Sequence, residues 1–469
     1  MTLDELVRSR VVVWGLGAEG RSVVELLRRR GADPTVVDDG PLPPSGGSPV
    51  PGTPGRDPVA ACPPGSVEWD AVDVVVRSPG VPRRHPGIVA AAARGVTVTT
   101  AMAVWLEDAA ALPVLAVTGT KGKSTTAALA AALLEAEGLR VALAGNIGVP
   151  VTDLYARPPY DAYVVEVSSY QAADVTTSPR VVVLTNLSPD HLDWHGGEAA
   201  YYRDKLRLVT AGPTPLLAVG SSSAEAVART GGVAGRVLFG PSGTVCVVPP
   251  GSTVHVDGRP VVDASRLGVP GEHNVWNLCG AVAGVTLLLG RPPSPPAAAA
   301  AVDGFGGLSS RCTTVATVDG RDYVDDALAS NPFATAASLR AFAGRPVTLV
   351  VGGGDRGVDP GPLVDALDAA EPAASVVVLE PLPTGWAPVA DPAGGRWTVR
   401  RATDVPAAVA AARALTPHGG VVLFSPAAPT PAGQGSYRQR SEQFRRAVLA
   451  PELPDGPGDP GDPVATAGG

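Results

Sequence analysis

Residues 118–126 read TGTKGKSTT. The apolar run Pro113-Val114-Leu115-Ala116-Val117 precedes them, and an alanine-rich stretch follows. Strand, glycine turn, Lys-Ser and helix, in that order, make a phosphate cradle, because backbone N–H groups and a helix N-terminus face the anion. The strict G-x-x-x-x-G-K-[ST] pattern needs glycine at 117, where Val117 stands, so this is a shortened loop that starts at Gly119 and ends on Gly122, Lys123 and Ser124. The lysine suits the β- and γ-phosphates of a nucleotide, and the hydroxyl suits Mg²⁺. A chance glycine turn is the bland alternative, and the flanking strand and helix weigh against it.

A second glycine loop lies upstream. Gly15-Leu16-Gly17-Ala18-Glu19-Gly20 fits G-x-G-x-x-G, follows the apolar "RVVVW" and opens an amphipathic stretch. Asp38 ends the next strand, "PTVVDD". This is the pyrophosphate fingerprint of a doubly wound sheet, although a tight turn in any such sheet would look similar. NAD is only one such ligand, and nothing downstream resembles a hydride-transfer site.

Around these loops, apolar strands alternate with helical stretches. "AVDVVVRSPG" ends at Ser78-Pro79-Gly80, "GIVAAAARG" is helical and "VTVTT" is a short strand. Strands are predicted at "PVLAVTG", "RVALAG", "YVVEVSS" and "RVVVLTN", a buried helix from Val275 to Leu289, and later strands at "VTLVVGG", "ASVVVLE" and "GVVLFSP". Such alternation predicts an α/β chain with mostly parallel sheets. At 469 residues, and at about 150 residues per domain, the length fits about three domains. Residues 41–66 read as loop, and the Pro- and Gly-rich residues 451–469 as a disordered tail.

Composition narrows the function. Net charge is -8, and Arg28-Arg29-Arg30 is the only compact basic run. It ends a helix, where cations suit the dipole, so no nucleic-acid partner is expected. The four cysteines (Cys62, Cys246, Cys279 and Cys312) form no CxxC pair, which fits a reducing cytoplasm without disulfides or a zinc site. The N-terminus lacks the apolar core of a signal peptide, and "LCGAVAGVTLLLG" is too short to span a bilayer. A cytoplasmic monomer with no membrane partner is expected.

A nucleotide phosphate site needs metal ligands. Glu166 ends "YVVEVSS" at the sheet edge where doubly wound folds take ligands, which makes it a Mg²⁺ ligand candidate. His191, in "NLSPDHLDWHG", stays open between a loop histidine and a ligand. Lys205, in "EAAYYRDKLRLV", reads from its spacing as a solvated-face lysine. His273, Asn274 and Asn277 either cap a helix or hydrogen-bond a base, with capping the default.

The order of motifs then becomes informative. The short GKST loop, "GNIG" at 145–148, "EVSSYQ" at 166–171, "DHLDWH" at 190–195, "YYRDKLRLV", "PGEHNVWN", "DD" at 325–326 and "GGGDRG" at 352–357 follow one another. Up to about Ala450 the chain resembles the Mur ligases, ATP-dependent amide-forming enzymes of peptidoglycan precursor synthesis. The resemblance implies a UDP-substrate-binding Rossmann-like domain (1–108), an ATP-binding central domain (109–308) and an amino-acid-binding Rossmann-like domain (309–450).

It further implies that ATP meets Gly119, Thr120, Lys121, Gly122, Lys123, Ser124 and Thr125, with His273, Asn274, Asn277, Arg311 and Asp326. Ser124, Glu166, His191 and a carbamylated Lys205 would serve Mg²⁺. Gly15, Leu16, Gly17, Asp38, Ser78, Pro79, Gly80 and Asn146 would face the UDP substrate. A carboxylate would attack ATP, and an amine would then displace phosphate from the acyl phosphate.

Within the family, the chain is similar to enzymes that add glutamate to UDP-N-acetylmuramoyl-L-alanine. The D-glutamate branch reads Asp-Ser-Lys-Ala-Thr-Asn where residues 326–331 are DALASN, so Leu328 replaces its lysine. "WGLGAEGR", "GTKGKSTT", Lys121 included, and "SSYQAADV" instead resemble the L-glutamate branch, in which that lysine is also absent and a partner epimerase inverts the added residue. Arg356, Thr430 and Tyr437 are the expected glutamate contacts. A folylpolyglutamate-type ligase shares the ATPase logic but not the N-terminal G-x-G-x-x-G domain. A non-catalytic nucleotide sensor or dinucleotide-binding protein is told apart by measurable turnover or by NAD binding without it, and the Lys-Ser loop with its metal-type partners disfavours an NAD dehydrogenase.

Overall fold

The computed structural model describes residues 1–39, 61–248, 251–269, 271–308, 310–355, 357–392, 394, 396–431 and 434–450. Most of the expected loop at 41–66 and all of the expected tail at 451–469 lie outside the described residues, as does Arg356. The chain divides into two compact units, Met1–Gly306 and Gly307–Gly469.

The first unit carries two sheets. In the four-stranded one, β1 (Val11–Trp14), β2 (Thr35–Val37), β3 (Val74–Arg77) and β4 (Thr97–Thr99) run parallel in the order β2-β1-β3-β4. Every residue of β1 and β3 is buried, as expected of a parallel sheet covered on both faces. Helix Ala18–Arg29 links β1 to β2, and Arg28 and Arg29 fall in its last turn, as the sequence suggested.

The second sheet has nine strands: β5 (Val114–Thr118), β6 (Val141–Gly145), β7 (Ala162–Glu166), β8 (Val181–Leu184), β9 (Leu216–Gly220), β10 (Val237–Phe239), β11 (Val245–Val247), β12 (Thr253–Val256) and β13 (Arg259–Asp263). Their order is β13-β12-β11-β10-β9-β8-β5-β7-β6. The sheet is parallel from β6 to β11 and turns antiparallel through β12 and β13. The strands expected from sequence are β5 to β8. β9 to β13 were not anticipated, because they are short and punctuated by glycine and proline, so they show too little periodicity to read.

β5 lies between β7 and β8, and its five residues are all buried. Helix Lys123–Ala136 follows it and packs against helix Glu272–Leu289. The latter begins three residues earlier than the expected Val275.

Polar ties within this unit join the two sheets. Arg77, at the end of β3, is 1% exposed. Its Nε donates to Asp174 Oδ2 (2.6 Å), and two further N–H groups reach the carbonyls of Val81 and Tyr170. Asp174 also pairs with Arg83 (2.9 Å). Removing one partner of such a buried pair costs about 3–5 kcal/mol, so this tie is a strong constraint. Beside it, Gln171 donates to Glu19 of the glycine loop, while the other Glu19 oxygen is buried without a partner among the described residues.

In the second unit, β14 (Thr313–Val318), β15 (Arg321–Asp325), β16 (Val347–Val351), β17 (Ser375–Leu379), β18 (Thr398–Ala402) and β19 (Val421–Phe424) form one sheet. The order is β14-β15-β19-β16-β17-β18, and only β14 is antiparallel. Separate apolar cores cover its two faces. The expected α/β class with mostly parallel sheets is what the structure has.

Burial raises the Glu19 carboxyl from 4.5 to about 7, against the opposing effects of the Gln171 hydrogen bond and the Arg77 charge. The folded state therefore keeps this proton to higher pH than the unfolded chain. Its contribution is complete below pH 4.5 and is lost as pH rises through about 7. Glu19→Gln should raise the thermal midpoint at pH 8 and leave it nearly unchanged at pH 4.5. Parallel pH profiles for the two proteins would contradict this.

Candidate active site

The phosphate loop leaves the carboxyl end of β5, and Gly122 precedes helix Lys123–Ala136 at φ 80°. The left-handed conformation at Gly122 favours glycine, and a Cβ there would also meet the end of the Asn277 side chain. The loop is backed from the end of β8. Asn186 accepts the Thr120 N–H on its carbonyl (3.0 Å) and the Lys121 N–H on its side chain (2.9 Å). Thr185 Oγ1 donates to the Lys121 carbonyl at 2.6 Å. The Lys123 ammonium folds back onto the Thr120 carbonyl at 3.0 Å. Thr125 is half-buried in the first turn of the helix.

Glu166 ends β7 and is 1% exposed. Ser124 Oγ donates to its Oε2 at 2.6 Å, and Asn146 Nδ2 donates to its Oε1 at 2.9 Å. Three candidates from separate motifs thus meet at the adjoining ends of β5, β6 and β7.

Lys205 departs from the expected solvated-face lysine. It is 2% exposed and donates to the Gly119 carbonyl at 2.8 Å, with its ammonium 5.0 Å from the Tyr201 ring centroid. Helix Glu198–Thr210 turns this side of its surface under the phosphate loop, so the sequence-local view of that face fails. Desolvation, reinforced by Lys123, holds the Lys205 pKa well below its ordinary value.

His191 is exposed in a left-handed conformation (φ 52°), with Nε2 3.7 Å from Asp190 Oδ2 and its ring 4.9 Å from Tyr170. Asp190 also meets the Lys121 ammonium at 3.4 Å. Burial would raise the Asp190 pKa, but the charges of Lys121 and His191 outweigh it and the net shift is downward.

The default of helix capping does not hold for His273 and Asn274. Gly271 occupies the cap, and Asn274 instead accepts from Asn277 Nδ2 at 3.1 Å. Asn277 accepts from Thr126 of the phosphate-loop helix at 3.3 Å, which places this helix start beside the loop. His273 is exposed there.

In the upstream loop, the Leu16 N–H donates to Asp38 (2.8 Å), and Ser78 Oγ donates to the Gly15 carbonyl (2.6 Å). A Cβ at Gly20 would run into that same carbonyl, whereas Gly17 faces open space at the helix start. Pro79 is half-buried and Gly80 exposed, just after β3. Asp38 and Ser78 therefore brace a loop whose second glycine stays open to a ligand.

In the second unit, Asp326 is buried and accepts from Ser338 (2.7 Å), Ser425 (2.6 Å) and the Cys312 N–H (3.1 Å). Burial still raises its carboxyl to about 6. Arg311 and Thr430 are half-buried in loops, and Tyr437 opens helix Tyr437–Leu449.

Sequence reading missed several members of the first-unit site. Thr185 and Asn186 back the phosphate loop. His195 is fully enclosed, between Asp204 (Nδ1···Oδ2 2.7 Å) and Ser169 (Nε2···Oγ 3.0 Å). It joins the "EVSSYQ", "DHLDWH" and "YYRDKL" segments, and its position four residues after His191 was the available signal.

For Mg²⁺ the donor set fits. A carboxylate and a hydroxyl stand together beside the phosphate loop, and Mg²⁺ takes one or two protein carboxylates and completes its shell with water and phosphates. The described residues contain no cluster of three or more His, Cys, Asp or Glu that could hold a metal. No helix of the described residues is long and apolar enough to cross a membrane.

Known families match this arrangement. Residues 9–100 match the Mur ligase MurD-like N-terminal domain, residues 117–285 the Mur ligase middle domain and residues 310–428 the Mur ligase glutamate ligase domain. A Micromonospora protein named UDP-N-acetylmuramoyl-L-alanine--L-glutamate ligase is 42% identical over 96% of this chain and 98% of its own. One of the same name from Salinispora tropica is 41% identical over 96% of this chain and 99% of its own.

Among solved structures, the Thermotoga maritima UDP-N-acetylmuramate-alanine ligase MurC aligns with TM-score 0.60 at 18% identity, covering 94% of this chain and 99% of that one. A Mycobacterium tuberculosis folylpolyglutamate synthase complexed with ADP and AMPPCP aligns with TM-score 0.57 at 18% identity, covering 75% of this chain and 95% of that one. At these identities the likeness is one of fold.

Gly122→Ala should weaken ATP binding about tenfold or more, since a Cβ at this left-handed position costs about 1–2 kcal/mol before the Asn277 overlap is counted. Nucleotide titration with the fold checked by circular dichroism reads it. Unchanged affinity would contradict the loop geometry.

Proposed function

The chain belongs to the Mur ligase family of ATP-dependent amide ligases, and on that premise we propose that it joins L-glutamate to UDP-N-acetylmuramoyl-L-alanine in peptidoglycan precursor synthesis. The observation that carries this reading is the meeting of Ser124, Asn146 and Glu166 beside a lysine-bearing phosphate loop. It supports a site in which a carboxylate and a hydroxyl serve the metal at the terminal phosphate, with an amide donor beside them. The L-glutamate names of the relatives support the choice of enantiomer, together with Leu328 in place of the D-branch lysine.

The division of labour follows the three sheets. The upstream loop (Gly15, Leu16 and Gly17) and Ser78-Pro79-Gly80 hold the UDP part. Lys123 and the loop amides hold the ATP phosphates, and His273, Asn274 and Asn277 serve the nucleotide. Thr430, Tyr437 and Arg356 serve the glutamate.

The alanyl carboxylate oxygen attacks the γ-phosphorus, the bond to the bridging oxygen breaks, and ADP leaves. The glutamate amine then attacks the acyl carbon, loses a proton, and expels inorganic phosphate as the amide forms. Both steps gather negative charge, so fixed cations and N–H donors contribute most. In this reading Asn146 donates to the carboxylate that becomes the acyl phosphate.

Ser124 and Glu166 would hold one Mg²⁺, and His191 and a carbamylated Lys205 a second. Bound there, Mg²⁺ supplies neutralisation of phosphate charge. Lys205 suits carbamylation because burial beside Lys123 favours its neutral amine, the form that adds to CO2. The added carboxylate would put an anion next to Lys123. A product ending in L-glutamate calls for a separate epimerase to invert that residue.

Phosphate release with UDP-N-acetylmuramoyl-L-alanine, ATP and either glutamate enantiomer tests the reading. Turnover with L-glutamate is expected, and turnover with D-glutamate alone would overturn it. Lys205→Ala should lower activity by about 100-fold or more, with partial recovery in formate or acetate. Full activity in the plain variant would remove the carbamate from the account.

A further inference from the structure

The second unit buries a cation for which its described residues supply no counter-ion. Arg440, on helix Tyr437–Leu449, is 6% exposed. One guanidinium N–H donates to the Gly352 carbonyl at 2.9 Å, and the guanidinium carbon lies 5.5 Å from the Phe424 ring centroid. Desolvation alone pulls its pKa down to about 10, with no neighbouring carboxylate opposing the shift.

The acidic groups nearby in sequence and sheet are committed elsewhere. Asp326 holds Ser338, Ser425 and the Cys312 N–H, and Asp325 holds Ser441 and the Ala327 N–H. Beyond the Gly352 carbonyl, the Arg440 guanidinium has no hydrogen-bond partner among the described residues. A buried cation normally comes with an anion, because its desolvation is otherwise uncompensated.

The topology gives the place of this uncompensated cation. The helix after β16, Gly361–Asp368, packs into one core through Leu363, Ala366 and Leu367. The helix after β19 packs into the core on the opposite face through Phe444 and Val448. β16 and β19 are neighbours, and the helices that follow them lie on opposite faces, so their carboxyl ends form the kind of junction at which open α/β sheets take ligands. Gly352 is the first residue after β16, and the Gly354 N–H donates to Pro429 in the connection after β19 (2.7 Å). Arg440 is anchored at this junction.

Resting on the function proposed above, we propose that Arg440 binds a carboxylate of the incoming glutamate and sets the preference for glutamate over its amide. Its planar fork offers paired N–H donors to a carboxylate. It thereby supplies the charge that Leu328 does not.

The test measures steady-state kinetics of Arg440→Met and Arg440→Lys with ATP, UDP-N-acetylmuramoyl-L-alanine and either L-glutamate or L-glutamine. Arg440→Met should raise KM for glutamate about 10- to 100-fold, leave KM for ATP within about twofold and erase the glutamate-over-glutamine preference. Arg440→Lys should keep that preference. If Arg440→Met is too unstable to assay, Arg440→Gln replaces it, and the lysine variant must then be selective and the glutamine variant not. A preserved preference in the uncharged variant, or equal losses for all three substrates, would overturn the proposal while the parent reading stands. A wild-type protein with no glutamate-dependent phosphate release would overturn both.

Discussion

One buried carboxylate organises the first unit. Glu166 has no solvent to stabilise its charge and is held instead by Ser124 at 2.6 Å and Asn146 at 2.9 Å. Those donors come from the phosphate-loop helix and from the turn after β6. They can reach Glu166 only because β7 lies between β5 and β6 in register, with Val117 and Gly145 both opposite Glu166. The same constraint fixes the phosphate loop against β8, through Thr185 and Asn186, and lets Lys205 reach the Gly119 carbonyl from below. Moving any of these strands by one residue would turn Glu166 away from the loop, since side chains alternate along a strand.

The upstream glycine loop answers to the same frame. Gln171 follows Glu166 by one short turn and touches Glu19, while the adjacent Asp174 receives Arg77 and Arg83 from the end of β3. Both contacts lie within the first unit, so a loop suited to a pyrophosphate and a loop suited to a nucleotide phosphate are tied by buried charge. A carboxyl with one partnerless oxygen inside that tie makes the joint sensitive to protonation.

The strands β1, β3, β5 and β7 were readable because a parallel strand buried on both faces is an uninterrupted apolar run, and the two glycine loops because each has a fixed backbone task. Glu166 was readable because it ends such a run. Lys205 was not: its helix has a polar surface, and only the fold shows that one lysine of that surface lies under the loop. Arg440 was equally opaque, because it acquires its meaning from a partner far along the chain, at Gly352. The strands β9 to β13 escaped because three- to five-residue segments between glycines and prolines leave little pattern. The family resemblance supplied a role for Lys205 that spacing could not, and the structure supplied its burial.

The proposed reaction turns on phosphoryl transfer to a carboxylate and not to water. Its most direct measurement places ¹⁸O in the alanyl carboxylate of UDP-N-acetylmuramoyl-L-alanine and follows the label by mass spectrometry after one turnover with ATP and glutamate. The account expects one labelled oxygen in the released inorganic phosphate. Phosphate that carries oxygen from water, and none from the substrate carboxylate, would contradict it.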